Sequence, residues 1–262
     1  MRIARFVCPA GRTHTGRLVD ERTAQPLVGG LFETLRFAEE ALEVRRLLAP
    51  LDPPNIFAIG RNYAAHAAET GSAAPERPLV FMKPTTALNH PDAPIVLPAS
   101  APEEVDFEAE LAIVIGRTAR RVDEASALRH VLGYTCANDV SARDCQRNDK
   151  QWTRAKGFDT FCPLGPWIVT ADEINPDQCA IRSFVNAARM QESTTRHMIH
   201  SCARLVSYLS QQFTLLPGTV ILTGTPEGVG MARTPPVFLR PGDRVEIEIE
   251  GIGRLSNPVE AA

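Results

Sequence analysis

The 262-residue sequence has no long hydrophobic run. No stretch approaches the roughly 18 apolar residues that a membrane-spanning helix requires. The N-terminus also lacks an apolar signal segment, because Gly11 and Arg12 interrupt it early. These absences argue against a membrane or secreted protein, and we expect a cytoplasmic location with no membrane partner.

Paired cysteines and clustered basic residues are missing as well. The six cysteines lie far apart, without a CxxC pair or a Cys/His ligand spacing, so we expect reduced thiols in the core. The net charge of -3 and the short basic runs provide no basic face for a phosphate backbone, so nucleic acid is not an expected partner. GxSxG, HExxH and P-loop motifs are also absent.

What the sequence does contain is a series of short apolar runs separated by glycine and by 21 prolines, which predicts a mostly β, α+β protein. The predicted strands of the main body are 56–59, 79–82, 111–115, 133–137, 167–169, 220–222 and 245–249. The predicted helices are fewer, at 124–132, 141–149 and 195–212.

The first fifty residues differ from this body. Two short strand-like pieces precede a helix-like pattern over residues 34–42, and Asp52-Pro53-Pro54 then stops the chain. We therefore predict a small N-terminal domain at 1–53 and a larger domain at 54–262.

Acidic residues alternate in Asp106-Phe107-Glu108-Ala109-Glu110, directly before an apolar run. Alternation in a strand places the three acids on one face. A row of oxygen ligands suits Mg²⁺, Mn²⁺ or Ca²⁺ rather than zinc. The alternative is an edge strand whose acids face solvent.

A further acid, Asp139, lies just before a predicted helix. Asn138 or Asp139 could be an ordinary N-cap that satisfies free backbone N–H groups. Together with Glu108 and Glu110, however, Asp139 would complete three carboxylates around an octahedral cation, with positions left for water and substrate.

The segment after the first body strand contains His66 and Glu69, three residues apart on a predicted helix. This spacing allows the carboxylate to orient the imidazole, although a surface pair is the alternative. The small and polar residues 70–78 that follow are typical of a mobile loop or lid.

Two lysines and one turn have unusual neighbours. Lys83 ends an apolar strand, and Lys156 precedes a glycine-containing segment. Each is either a buried stabiliser of an oxyanion or an ordinary solvated lysine. The turn at 223–230 has backbone N–H groups that could hold a carboxylate.

In order along the chain, seven segments resemble the fumarylacetoacetate hydrolase family over roughly residues 54–259. They are GRNYAAHAAE, LVFMKP, VDFEAELAIVIGR, GYTCANDVSARDCQ, KGFDTFCPLGPW, LPGTVILTGTPEGVG and PGDRVEIEIEGIGRLSNPV. The fold that this resemblance implies is a mixed β-roll or barrel behind a small N-terminal domain, assembled as a homodimer.

The resemblance also implies roles for individual residues. It places the metal ligands at Glu108, Glu110 and Asp139, with Mg²⁺ or Mn²⁺ as the cofactor and Ca²⁺ as a possible substitute in a crystal. It places a lid dyad at His66 and Glu69, and an oxyanion-stabilising lysine at Lys156. The implied substrate contacts are Arg61, Tyr63, Lys83, Gln146 and Thr225.

By the same resemblance, the protein is expected to be a metal-dependent enzyme that acts on small 2-oxo acids through an enolate. Our first expectation is C–C hydrolysis of an acylpyruvate such as fumarylpyruvate or acetylpyruvate, as in the breakdown of aromatic compounds. Oxaloacetate decarboxylation and isomerisation or hydration of 2-hydroxyhepta-2,4-diene-1,7-dioate are alternatives. A metabolite-binding protein without catalysis is the alternative of a different class.

Overall fold

The computed structural model describes all 262 residues. Most of its regular structure is β. In chain order the strands are β1 Arg2–Val7, β2 Thr13–Leu18, β3 Thr23–Pro26, β4 Leu42–Glu43, β5 Arg46–Leu48, β6 Ile56–Gly60, β7 Leu79–Lys83, β8 Leu88–Asn89, β9 Ile95–Leu97, β10 Val105–Asp106, β11 Ala109–Ile115, β12 Val131–Asn138, β13 Ser141–Ala142, β14 Cys162–Thr170, β15 Ala180–Val185, β16 Ala188–Thr194, β17 Val220–Leu222, β18 Arg244–Ile249 and β19 Gly253–Ala261.

Five α-helices complete the fold: α1 Ala64–Glu69, α2 Glu124–Ala127, α3 Arg143–Asn148, α4 Thr153–Lys156 and α5 Cys202–Gln212. Short 3₁₀ turns lie at Thr85–Ala87, Leu128–His130, Thr195–His197 and Gly230–Ala232. None of these helices has both the length and the apolar composition to span a membrane. The predicted α+β, mostly β fold class is confirmed.

A mixed sheet of 12 strands runs in the order β4-β3-β2-β1-β14-β12-β11-β17-β6-β7, with β5 beside β1 and β8 beside β14. A second sheet has the order β16-β15-β18-β19-β9, and β10 pairs with β13. The sheets do not close into a barrel. Because β1 pairs with β14, the large sheet continues across residue 53, and the division into two domains stays a prediction.

The main core lies between the two sheets. Leu111 and Ile113 of β11 share one apolar cluster with Ile181, Ile247 and Leu255 of the second sheet. On the opposite face of β11, Ala112 and Val114 belong to another cluster. Each fully buried Leu or Ile contributes about 1.5–3 kcal/mol, which helps offset the cost of burying charged groups nearby.

The edge-strand alternative for the acidic segment is wrong. Strand β11 lies inside the sheet, between β12 and β17. Asp106, Glu108 and Glu110 are at most 5% exposed. The segment is also not one continuous strand, because β10 ends at Asp106 and β11 begins at Ala109.

The helix predicted over residues 34–42 is wrong, because this segment is mostly irregular and touches its neighbours through strand-like pairing at two points. Leu42 pairs with Ala24, and Phe37 forms a bridge to Leu27. The helix predicted over 195–212 begins later, at Cys202. Ser201 caps it there by accepting a hydrogen bond from the backbone N–H of Arg204 at 3.2 Å.

The six cysteines are all buried and free, as expected of core thiols.

Candidate active site

Three carboxylates meet where β11 and β12 lie side by side. Ala109 is opposite Asn138 in this antiparallel pair, so Glu108 and Asp139 flank the same register position. The backbone N–H of Asp139 donates to the Glu108 carbonyl at 3.0 Å, and the Asn138 side chain accepts from the Glu108 N–H at 3.0 Å. One carboxylate oxygen from each of Glu108, Glu110 and Asp139 lies within 4.8 Å of the others.

The N-cap alternative for Asn138 and Asp139 is therefore wrong. Helix α3 has Ala142 at its N-cap position, with no side-chain cap. The Asp139 carboxylate instead accepts from two lysines: Lys83 Nζ at 2.5 Å and Lys156 Nζ at 2.7 Å. The sequence singled out both lysines, and the solvated alternative is wrong for each, since both are about 2% exposed.

Glu108 has two cationic partners. Lys156 Nζ lies 2.7 Å from its Oε2, and Arg143 Nη1 lies 2.8 Å from its Oε1. Burial alone would raise the pKa of Glu108, but the charges of Lys156 and Arg143 outweigh it and lower the pKa to about 2. Glu108 is thus held as a carboxylate, which is the form that a metal ligand needs.

Glu110 differs from its neighbours because no cation forms an ion pair with it. Its Oε2 accepts from the backbone N–H of Gly224 at 2.6 Å. Burial and the charges of Asp139 and Glu108 raise the pKa of Glu110 well above its usual value. Glu110 is therefore the carboxylate of this cluster whose charge the protein's own cations balance least.

Asp106 is outside this cluster, as the resemblance implied. Its Oδ1 accepts from the Gly230 N–H at 2.8 Å, and its Oδ2 accepts from the Met231 N–H at 3.0 Å. Arg143 Nε also donates to Oδ2 at 2.9 Å. Asp106 therefore neutralises Arg143 and fixes the 230–231 backbone beside the site.

The donor set fits a divalent cation. Four buried acids face three buried cations, so one negative charge is left over when all are ionised; they are Asp106, Glu108, Glu110 and Asp139 against Lys83, Arg143 and Lys156. All three clustered donors are carboxylate oxygens, which Mg²⁺, Mn²⁺ and Ca²⁺ accept. Glu108, Glu110 and Asp139 are the residues that would hold the ion.

His66 and Glu69 form the predicted pair, with His66 Nδ1 at 2.8 Å from Glu69 Oε1. The other oxygen of Glu69 accepts from the Gly228 N–H at 2.9 Å. This network assigns the Nδ1 proton to the Glu69 bond and leaves Nε2 as the basic nitrogen. His66 is only 7% exposed, so the surface-pair alternative is wrong.

A cavity of about 210 Å³ joins these groups, and the three carboxylates lie on its wall with His66 and Lys156. Its volume is below the roughly 300–1,000 Å³ of sites for drug-sized ligands, so it suits a small substrate. Of the predicted substrate contacts, Arg61, Gln146 and Thr225 line it. Tyr63 and Lys83 are buried but are not among its lining residues, and their contact with substrate stays a prediction.

Sequence reasoning missed Arg143 and Trp152. Arg143 lies within a quoted segment, but nothing in its spacing showed that it bridges Asp106 and Glu108. Trp152 lines the cavity, packs edge-on against Phe81 at 5.3 Å between ring centroids, and supports the Arg61 guanidinium at 5.7 Å. Only folding brings these side chains together.

Replacing Glu69 with glutamine tests the pair directly. A glutamine oxygen can accept from either His66 or Gly228, and its NH₂ group then faces the other N–H donor. We expect kcat to fall at least about tenfold, because the imidazole loses its fixed tautomer or its orientation. An unchanged kcat, with normal folding by circular dichroism, would contradict the orienting role.

Comparisons with known proteins concern the chain as a whole. The family model described as fumarylacetoacetate (FAA) hydrolase C-terminal matches residues 55–260. The mitochondrial oxaloacetate tautomerase fahd2 of Xenopus laevis is 48% identical over 81% of this chain and 68% of its own length.

Solved structures resemble the whole chain. The 5-carboxymethyl-2-hydroxymuconate delta-isomerase of Mycobacterium smegmatis is 46% identical, with a TM-score of 0.89 and 100% of both chains covered. The 2-hydroxyhepta-2,4-diene-1,7-dioate isomerase of Mycobacterium marinum is 43% identical, with a TM-score of 0.87, covering 100% of this chain and 98% of that one.

Proposed function

The chain belongs to the fumarylacetoacetate hydrolase family of enzymes, and we propose that it interconverts the enol and keto forms of a small 2-oxo acid with a divalent metal ion. The observation that carries this proposal is the cavity that the three carboxylates share with His66, whose imidazole Glu69 holds. The relatives named as a tautomerase and as isomerases support it, since both kinds of reaction move a proton next to a 2-oxo or 2-hydroxy group.

A bound Mg²⁺ or Mn²⁺ would supply Lewis acidity that lowers the energy of an enolate at C2 of the substrate. The proton transfer itself falls to His66. In the keto-to-enol direction its Nε2 accepts a proton from C3, the C2 oxygen takes a proton from water, and the imidazolium returns its own proton to water. In the enol-to-keto direction the oxygen loses its proton to water and His66 delivers a proton to C3. Glu69 keeps the proton on Nδ1 and stabilises the imidazolium that forms.

The position of Arg61 is an argument for a dicarboxylic substrate such as oxaloacetate. Three other cations on the cavity wall already have carboxylate partners: Arg143, Arg147 and Lys156. Arg61 has none within ion-pair distance, and its guanidinium rests on Trp152. It is therefore available to a second carboxylate of the substrate.

Acylpyruvate hydrolysis is the second candidate. The observation that favours it is the position of Lys156 on the cavity wall. Proton transfer at C3 develops negative charge on the C2 oxygen, whereas attack of water at C4 creates a second oxyanion. The Lys156 ammonium is on the cavity wall beside the carboxylates and could stabilise that charge. His66 would then deprotonate the water.

A substrate panel with and without EDTA tests the proposal. Loss of the enol absorbance of oxaloacetate should accelerate in the presence of protein and Mg²⁺, stop with EDTA and return with added Mg²⁺ or Mn²⁺. Faster turnover of acetylpyruvate or fumarylpyruvate than of oxaloacetate would favour hydrolysis. Tight binding of oxalate without turnover of any substrate would identify a metabolite-binding protein.

The segment from His66 to Pro78 is expected to protect the site when a ligand binds. Ala73, Ala74, Glu76 and Arg77 are exposed in the structure, so this loop can move at little cost. Oxalate with Mg²⁺ should slow hydrogen exchange in this segment. The same protection with and without oxalate, at saturating oxalate, would argue against closure.

The predicted homodimer and cytoplasmic location stay predictions, and light scattering after size-exclusion chromatography would test the first.

A further inference from the structure

Gln191, on β16, joins the acidic strand to the loop that carries Thr225. Its side chain is fully buried. The amide oxygen accepts from the Ala109 N–H at 2.9 Å and from Ser183 Oγ at 2.8 Å. The amide nitrogen donates to Thr225 Oγ1 and to the Pro226 carbonyl, both at 2.8 Å. All four hydrogen-bonding positions of this amide are therefore used.

The orientation of the Gln191 amide is fixed by backbone groups. The Ala109 N–H can only donate, and the Pro226 carbonyl can only accept. Exchanging the amide oxygen and nitrogen would therefore place two donors against each other at Ala109 and two acceptors against each other at Pro226. It follows that Nε2 is the donor toward Thr225, and that Thr225 Oγ1 is the acceptor.

This arrangement leaves the hydroxyl hydrogen of Thr225 without an acceptor in the protein, since no side-chain or backbone oxygen receives it. Thr225 lines the cavity. We infer that Gln191 is a positioning residue that keeps the Thr225 hydroxyl as a hydrogen-bond donor to the substrate carboxylate. This inference rests on the proposed function, because it requires an anionic 2-oxo acid in the cavity.

A double-mutant cycle between Gln191 and Thr225 tests the inference, with oxalate affinity in the presence of Mg²⁺ measured by calorimetry. Thr225→Val removes the donor and should weaken oxalate binding about tenfold or more, as expected for a lost hydrogen bond to a charged group. Gln191→Met removes the donor that fixes the Thr225 hydroxyl, which is then free to turn away from the cavity, and should cause a similar loss. In the Thr225→Val background, Gln191→Met should add almost nothing.

Three further variants separate positioning from general damage. Thr225→Ser keeps the hydroxyl and should recover most of the oxalate affinity that Thr225→Val loses. Ser183→Ala removes a contact to the oxygen side of the same amide and should also leave oxalate affinity unchanged. Gln191→Glu keeps the acceptor toward Ala109 but draws the Thr225 hydroxyl to itself, so its loss of affinity should likewise vanish in the Thr225→Val background.

Kinetics supply a second readout, because a contact made equally in the ground and transition states changes KM rather than kcat. We therefore expect a higher KM for the 2-oxo acid in Gln191→Met, with Mg²⁺ affinity unchanged. Losses that multiply in the double variant, or a Gln191→Met protein that binds oxalate as tightly as the wild type, would overturn the inference alone. Wild-type protein that fails to bind oxalate with Mg²⁺ would overturn the proposed function as well.

Discussion

Glu110→Gln should produce a protein that is more stable than the wild type without metal and nearly inactive with it. Glu110 is buried beside two other carboxylates, and no cation forms an ion pair with it. A neutral amide removes this repulsion, so the Tm of the metal-free protein should rise. The same change removes one of the three carboxylates that would hold the metal ion, and kcat/KM should fall by more than the 10–100-fold typical of residues that only support a ligand.

Thermal melts with and without Mg²⁺ separate these two effects. In the wild type, Mg²⁺ should raise Tm because it binds the folded state, whereas in Glu110→Gln this increase should be small or absent. In Glu110→Gln the amide nitrogen cannot accept the hydrogen bond that the Gly224 N–H donates to Glu110 in the wild type. The glutamine side chain therefore has to place its oxygen next to Gly224.

Asp139→Asn provides a matched comparison for Glu110→Gln. Asp139 holds Lys83 and Lys156, so its loss of charge leaves two buried ammonium groups with weaker partners. This variant should therefore lose both metal binding and stability. A lower Tm in metal-free Glu110→Gln would show that its charge is already balanced in the wild type, and would contradict the account of this site.

The sequence predicted which acids cluster far better than it predicted the partners of those acids. Glu108, Glu110 and Asp139 were found because alternation in a strand and a short polar segment after another strand are local patterns. The resemblance over the seven family segments then implied their role as metal ligands, which stays a prediction. The sequence does not reveal which cations balance these acids, because Lys83, Arg143 and Lys156 are distant along the chain and only folding brings them to the cluster.

The errors in secondary structure have the same origin. The helix-like pattern over residues 34–42 did not form a helix, since Leu42 at its end pairs with Ala24 of β3, and sequence periodicity does not reveal such a neighbour. Asp106 fitted the alternation of its segment, but the chain leaves the strand between Asp106 and Ala109. Gln191 carried no local signal, because all four of its partners come from other elements or from an adjacent strand.

His66→Ala should separate reactions that need a base from one that does not. If His66 Nε2 carries the proton to and from C3, the variant should lose about 10²–10⁴-fold in enol–keto interconversion of oxaloacetate. Acylpyruvate hydrolysis should fall to a similar extent, because the attacking water also needs a base. Decarboxylation of oxaloacetate needs mainly the metal ion to accept the charge that develops at the C2 oxygen, so its rate should fall much less.

The ratio of these rates is more informative than any single rate, because it cancels general damage to folding. His66 is not one of the three residues that would hold the metal ion. The affinity of His66→Ala for Mg²⁺ should therefore match that of the wild type. Glu110→Gln is the opposite control, because it should depress every reaction together. Equal losses of decarboxylation and tautomerisation in His66→Ala, with Mg²⁺ affinity unchanged, would show that His66 positions the substrate and does not transfer the proton.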